Sequence, residues 1–167
     1  MIKFKENKGL GLLEVMISLF LLSFGVIGGF AVIQKIVQFS SVNSSRLVAY
    51  HLAQEGVEVV RNVRDTSRQN HLPFDNDISE ASAPIDYRCD QFPCKPQHCE
   101  IDDEYLKKEN GFYLCTDAGD SDLVFRRVVS VDKAVSGESL EVTAMVEWVE
   151  KGNTYQVKTT EILYDWQ

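Results

Sequence analysis

The chain begins with a long apolar segment. Residues 10–34 are almost entirely apolar, and Glu14 is their only ionisable side chain. At about 1.5 Å of rise per residue, this segment forms roughly 37 Å of helix, which exceeds the roughly 30 Å thickness of a bilayer core. The pattern therefore predicts a helix that crosses a membrane.

Helical periodicity continues after this segment. Small and apolar residues recur on one face, at Ala49, Leu52, Ala53, Gly56, Val59, Val60 and Val63. The other face carries charged residues, at Glu55, Glu58, Arg61 and Arg64. No proline interrupts residues 10–72. We therefore predict one continuous helix from residue 10 to about residue 64. The face of small and apolar residues in its second half is expected to pack as a stripe against a globular domain.

Alternation of polar and apolar residues replaces helical spacing near the end of the chain. It predicts strands at 112–116, 123–131, 140–149 and 154–163, with a hairpin turn at 150–153. Either of two strand registers places Trp148 on the same face as Tyr155 and Val157. Residues 66–111 contain all four prolines and are predicted to be rich in loops. The predicted fold class is α+β, a long helix packed on an antiparallel sheet.

Charge separates the chain at the same boundary. Lys3, Lys5 and Lys8 precede the apolar segment, whereas residues 35–167 carry 14 Lys and Arg against 23 Asp and Glu, a net of −9. The positive-inside rule predicts a cytoplasmic leader at 1–9, a membrane segment at 10–34 and an extracytoplasmic domain at 35–167. Because phosphate contacts need surplus cations, we expect no nucleic-acid partner.

Four cysteines lie in the predicted extracytoplasmic part, at Cys89, Cys94, Cys99 and Cys115. An even number in an oxidising compartment favours disulfides. Three of them fall within 11 residues, so one must bond outside that cluster or stay free. We predict one local bond within 89–99 and one from the cluster to Cys115. Zinc held by these cysteines and His98 is the alternative, although the spacings are loose for a zinc knuckle.

The remaining polar residues form no recognisable catalytic motif. His51, His71 and His98 have no second partner at ligand spacing, and no serine or cysteine lies in a nucleophile motif. Asp117, Asp120 and Asp122 are weak calcium candidates, because a solvated turn is the favoured explanation for them and the EF-hand pattern is absent. We predict that the protein is not an enzyme and uses no cofactor.

The N-terminal motif resembles that of a known family. The run Lys8-Gly9-Leu10-Gly11-Leu12-Leu13-Glu14-Val15 is similar to the prepilin cleavage and methylation signal. The resemblance implies cleavage between Gly9 and Leu10 by a prepilin peptidase and N-methylation of Leu10. The family usually has Phe and then Ser or Thr at the positions of Leu10 and Gly11, so this chain departs from the pattern there.

The resemblance extends through the apolar segment, where residues 14–28 are similar to minor pilins of the PilV type. It implies the type IV pilin fold and an assembly ion pair between Glu14 and the terminal ammonium of a neighbouring subunit. An intramembrane carboxylate is itself a functional hypothesis. Gly25, Gly28 and Gly29 either allow close helix packing or let the helix melt locally on entry into a filament.

The same resemblance implies a location and partners. We expect a single-pass protein of the bacterial inner membrane that later joins an extracellular or periplasmic filament. Its partners would be the bilayer, the peptidase, an assembly platform and other pilin or pseudopilin subunits. The leading hypothesis is a minor subunit of a type IV pilus. The alternatives are a pseudopilin of type II secretion or DNA uptake, and a membrane-anchored binding or sensor domain with no filament role.

Overall fold

The computed structural model describes residues 11–95, 98, 99, 105–116, 125–134 and 137–165. It contains one helix and six strands: α1 (Leu12–Gln69), β1 (Ala81–Ala83), β2 (Tyr105–Glu109), β3 (Phe112–Thr116), β4 (Phe125–Lys133), β5 (Ser139–Glu150) and β6 (Asn153–Tyr164). The chain divides into two compact units, Met1–Asn43 and Ser44–Gln167.

Helix α1 ends later than predicted. His71 adopts a left-handed φ of 58°, and its N–H donates to the carbonyl oxygen of Arg68 at 3.0 Å. The N–H of Leu72 donates to the carbonyl oxygen of Ser67 at 2.9 Å. These two bonds form a Schellman motif, which satisfies carbonyl groups that the helix end leaves without partners. The polar residues after Arg64 therefore continue the helix, and Pro73 follows its end.

The strands form one antiparallel sheet in the order β3-β2-β4-β5-β6, and β1 also pairs with β4. Strand β2 pairs with β4 at Arg126, whereas β1 pairs with it further along, at Val131. Two short strands therefore share the edge of β4 that β5 does not occupy. The α+β class predicted from the sequence is confirmed.

The β5–β6 hairpin confirms the predicted core face. Lys151 and Gly152 form its two-residue turn with positive φ values of 52° and 79°, as the twist of such hairpins favours. This turn places Trp148 opposite Tyr155. Because side chains alternate along a strand, Val157 lies on the same face as Tyr155.

Strands β1 and β2 were missed, because both lie in the segment predicted to be rich in loops. The sequence signal for β2 is the dipeptide Asn110-Gly111. These two residues form the hairpin turn between β2 and β3, with φ values of 50° and 90°. Asn-Gly is a strong sequence signal for a two-residue hairpin turn. Strand β2 itself reads Tyr-Leu-Lys-Lys-Glu, and this charged composition hides the alternation.

The second half of α1 packs on the sheet through the predicted stripe. The stripe residues are buried, as are the facing side chains Val129, Val131, Val142, Ala144 and Val146. Gly56 marks a close approach of helix and sheet, since a Cβ built there would lie 3.0 Å from Cγ2 of Val129 and 3.5 Å from Cβ of Ala144. Arg64 was wrongly placed on the exposed face. It is buried, and its guanidinium donates to the carbonyl oxygen of Tyr164 at 3.3 Å.

Candidate functional site

The first unit presents an uncovered apolar helical surface. Within residues 12–39 the large apolar side chains are exposed, with Leu12 at 82% and Ile27 at 70%. Helix α1 is long and apolar enough to cross a membrane. A contiguous apolar surface of this size requires a cover, either a bilayer or other protein.

Glu14 is the only carboxylate on this surface. It lies in the first turn of α1, where the helix dipole favours a negative charge. Its N–H donates to the carbonyl oxygen of Gly11 at 2.9 Å, and its side chain is exposed. The position leaves the carboxylate available to a cation supplied by another molecule.

The serines of this segment are compatible with an apolar surrounding. The hydroxyl of Ser18 donates to the carbonyl oxygen of Glu14 at 2.8 Å, and that of Ser23 donates to the carbonyl oxygen of Leu19 at 2.7 Å. Each hydroxyl donates to a carbonyl oxygen of the preceding turn. These serines can therefore be buried in lipid or in protein without leaving a hydrogen-bond donor unsatisfied.

The three glycines of the segment face open space. A Cβ built at Gly25, Gly28 or Gly29 would meet no other described atom within 4 Å. In contrast to Gly56, none of them is explained by close packing within the described chain. Both predicted roles, close packing against another helix and local melting of α1, are compatible with this open position.

Two groups of predicted site residues lie outside the described part of the structure. They are the cleavage and methylation positions Gly9 and Leu10, and the weak calcium candidates Asp117, Asp120 and Asp122.

The cysteines of the second unit form two disulfides. Cys89 bonds Cys94, with a Cα–Cα distance of 5.2 Å, and Cys99 bonds Cys115, with a Cα–Cα distance of 5.4 Å. This arrangement has the predicted form, one local bridge and one bridge to strand β3. Since all four sulfurs are paired, they cannot serve as thiolate ligands for zinc in this state.

Asp86 organises residues 85–99, the cysteine segment, which contains three of the four cysteines. Its side chain is fully buried and accepts hydrogen bonds from the N–H and Nε of Arg88, both at 2.9 Å, and from the N–H of Cys115 at 3.3 Å. Arg88 also donates to the carbonyl oxygen of His98 at 2.9 Å. The bond to the Asp86 carboxylate raises the pKa of Arg88. Asp86 thus holds the cysteine segment to β3 directly and, through Arg88, to the backbone at His98.

Arg127 is a further buried charge of this unit. Its Nη1 donates to the carbonyl oxygen of Leu52 at 3.0 Å, and its Nε and Nη2 donate to that of Ile85 at 3.0 and 2.5 Å. Burial lowers the pKa of Arg127, and the nearby carboxylates of Glu55 and Asp86 oppose that shift. The guanidinium therefore ties α1, the cysteine segment and the sheet together.

Sequence reasoning identified neither Asp86 nor Arg127. For Arg127 a signal existed, because it occupies a core-facing position between Phe125 and Val129 in the alternation of β4. A charged residue at an apolar position is a candidate for a buried polar network. For Asp86, nothing in the local pattern distinguishes it from a loop carboxylate.

Comparisons of the chain with protein-family models, curated proteins and solved structures find no match.

Proposed function

We propose that this protein is a prepilin-type filament subunit, anchored in a membrane by residues 10–34 and assembled through the same helix. Within that class we assign it to the minor subunits of a type IV pilus. The observation that carries the proposal is the exposed apolar surface of residues 12–39 with one carboxylate in its first turn. A bilayer covers that surface before assembly, and the helices of neighbouring subunits cover it afterwards.

In this proposal, Glu14 fixes the axial position of one subunit relative to its neighbour. In a dry filament core, an unpaired carboxylate is costly, and breaking a buried ion pair costs about 3–5 kcal/mol. The ammonium exposed at Leu10 by cleavage of a neighbouring subunit would be its partner. Subunits shifted along one another would leave both charges unpaired, so the pair selects one axial position.

The placement of the disulfides supports a minor subunit. Many major pilins close a C-terminal loop with a disulfide. In this chain both bridges lie at or before Cys115, and β4, β5 and β6 follow it with no cysteine. The C-terminal hairpin is instead tied to α1 by ion pairs between Arg61 and Glu161 and between Arg68 and Asp165.

Intact-mass measurement tests the class. The membrane-extracted protein should have the mass of residues 10–167, a chain of 158 residues, plus one methyl group. Gly9→Val should block cleavage, because only glycine lets the peptidase approach the backbone closely. A mass corresponding to residues 1–167 in cells with an active peptidase would contradict the proposal.

Filament incorporation tests the role of Glu14. We expect Glu14→Leu to be inserted and cleaved normally but to be absent from sheared filaments. Ser18→Leu is the matched control, since it adds the same side chain one turn later and removes no charge. Equal incorporation of both variants would refute the ion-pair role while leaving the processing result unaffected.

A further inference from the structure

The two disulfides are adjacent in space. The Sγ atoms of Cys89, Cys94 and Cys99 all lie within 4.8 Å of one another. One sulfur of the second bridge is therefore a near neighbour of both sulfurs of the first. Thiol–disulfide exchange requires a thiolate to reach a disulfide sulfur. A thiolate at Cys99 would already be positioned beside the Cys89–Cys94 bridge.

The bridges differ in how they meet solvent. Cys115 is half-buried on β3, whereas Cys89, Cys94 and Cys99 are all buried. An external thiolate would therefore reach Cys115 first. Its attack forms a mixed disulfide on Cys115 and releases Cys99 as a buried thiolate.

Asp86 offers a fitted place for a thiol at Cys89. The backbone N–H of Asp86 donates to the Cys89 sulfur at 3.3 Å, and the Oδ1 atom of Asp86 lies 3.9 Å from the same sulfur. A reduced Cys89 would accept a hydrogen bond from the N–H of Asp86 and donate its S–H to the Oδ1 atom of Asp86. Within the described part of the chain, the Cys94 sulfur has no hydrogen bond. Exchange is therefore expected to free Cys89 rather than Cys94. A carboxylate oxygen of Asp86 also lies within 4.8 Å of the Cys99 and Cys115 sulfurs, and its negative charge disfavours a thiolate that remains at Cys99.

We propose that the four cysteines form a thiol–disulfide relay that takes two electrons from a dithiol of the oxidoreductase class. The external thiolate bonds Cys115 and displaces Cys99. Cys99 then attacks Cys94, forming the Cys94–Cys99 disulfide and displacing Cys89, which takes up a proton. The second thiol of the donor resolves the mixed disulfide, so Cys115 becomes a thiol and the donor becomes a disulfide.

The relay releases one connection and keeps the other. The covalent tie from the cysteine segment to β3 is lost, whereas Cys94–Cys99 still closes that segment on itself. The reduced protein thus has one buried thiol beside Asp86 and one half-buried thiol on β3. This device is independent of the proposed filament role, since it uses only residues of the second unit.

Partial reduction with trapping tests the relay. The full chain, purified in detergent, is treated with limiting dithiothreitol, quenched, alkylated and mapped by peptide mass spectrometry. We expect the singly reduced species to be alkylated at Cys89 and Cys115 and to contain Cys94–Cys99. Alkylation at Cys99 and Cys115 with Cys89–Cys94 intact would overturn the proposal. So would alkylation at Cys89 and Cys94 with Cys99–Cys115 intact.

Two variants sharpen the result. The double variant Cys89→Ser, Cys94→Ser has no relay target, so its alkylation should move to Cys99 and Cys115. Asp86→Ala should lower the ratio of Cys89 to Cys99 alkylation by about fivefold, as the loss of one net hydrogen bond predicts. An unchanged ratio in a folded Asp86→Ala protein would remove Asp86 from the relay. If that variant does not fold, the wild-type map decides.

Discussion

The guanidinium of Arg127 on strand β4 donates to the main-chain carbonyl oxygen of Leu52 in α1, at 3.0 Å. The same side chain donates twice to the carbonyl oxygen of Ile85. A helix, a sheet and the cysteine segment therefore depend on one buried cation. Such a group must keep its partners, because a buried charge or carbonyl without them is costly.

We predict that Arg127→Met lowers the free energy of unfolding by about 1–3 kcal/mol, since the carbonyl oxygen of Ile85 loses its donors. Arg126→Met is the matched control. Its guanidinium pairs with Glu147 at 2.9 Å, and both side chains are partly exposed, so the loss should stay below about 1 kcal/mol. Urea denaturation with the disulfides intact measures both, and equal losses would contradict the proposed tie.

Gly56 gives a second prediction. A larger side chain there would press against Val129, so Gly56→Leu should cost about 1–3 kcal/mol through overpacking. Gly28→Leu serves as the control, because a side chain at that position meets open space within the described chain. Thermal unfolding followed by near-ultraviolet dichroism should shift for Gly56→Leu alone. A similar shift for both variants would mean that contact with the sheet is not the cause.

The two bridges should differ in their contribution to stability. Cys99 and Cys115 are separated by 16 residues, and Cys89 and Cys94 by 5. Loop-closure entropy then assigns about 3 kcal/mol to the first bridge and about 2 kcal/mol to the second. Urea denaturation of the two double-serine variants, Cys99→Ser, Cys115→Ser and Cys89→Ser, Cys94→Ser, checks the order. The first variant should also be cleaved sooner by protease, because its cysteine segment is no longer tied to β3.

Tyr113 gives a pH-dependent prediction. Burial raises the pKa of Tyr113, whose ring lies edge-on to Phe125 at 6.1 Å. The unfolded chain then releases this proton at a lower pH than the folded protein. The stability that Tyr113 contributes is therefore complete below about pH 10, its ordinary pKa, and declines as the pH rises through the folded value.

The comparison with Tyr113→Phe isolates this effect. The melting temperature of the wild type should fall more steeply than that of the variant above about pH 10, because the variant has no phenol to ionise. At neutral pH, the two should show no pH-dependent difference. Parallel curves across the alkaline range would show that folding does not raise the pKa of Tyr113.

Part of the fold was accessible from local sequence patterns. The stripe from Ala49 to Val63 repeats at helical spacing, and the residues around Val142 and Trp148 alternate, so each pattern identified its element and its buried face. The end of α1 was misplaced because polar residues after Arg64 satisfy a helix as well as a loop. The Schellman motif at His71 is a backbone conformation that residue type did not reveal.

Local sequence patterns do not determine the disulfide pairing of the cysteine segment. Of three thiols within 11 residues, one must bond outside the cluster or stay free, and the fourth cysteine, Cys115, was the predicted partner because it falls on the first predicted strand. The choice of Cys99 as the bonded residue depends on where β2 and β3 place Cys115. Sequence spacing leaves several such pairings open.

By itself, the sequence determined the elements whose signals are periodic: an apolar helix with one carboxylate, its packed continuation, and a sheet with one buried face. Periodicity is local, since each side chain's direction follows from its own backbone. Three contacts were decided only by the tertiary structure. Arg127 donates to the carbonyl oxygens of Leu52 and Ile85, Asp86 accepts hydrogen bonds that hold the cysteine segment, and the two disulfides lie next to each other. Those contacts join residues up to 75 positions apart. They form only when the helix packs on the sheet and buries their polar groups together in a site from which water is excluded.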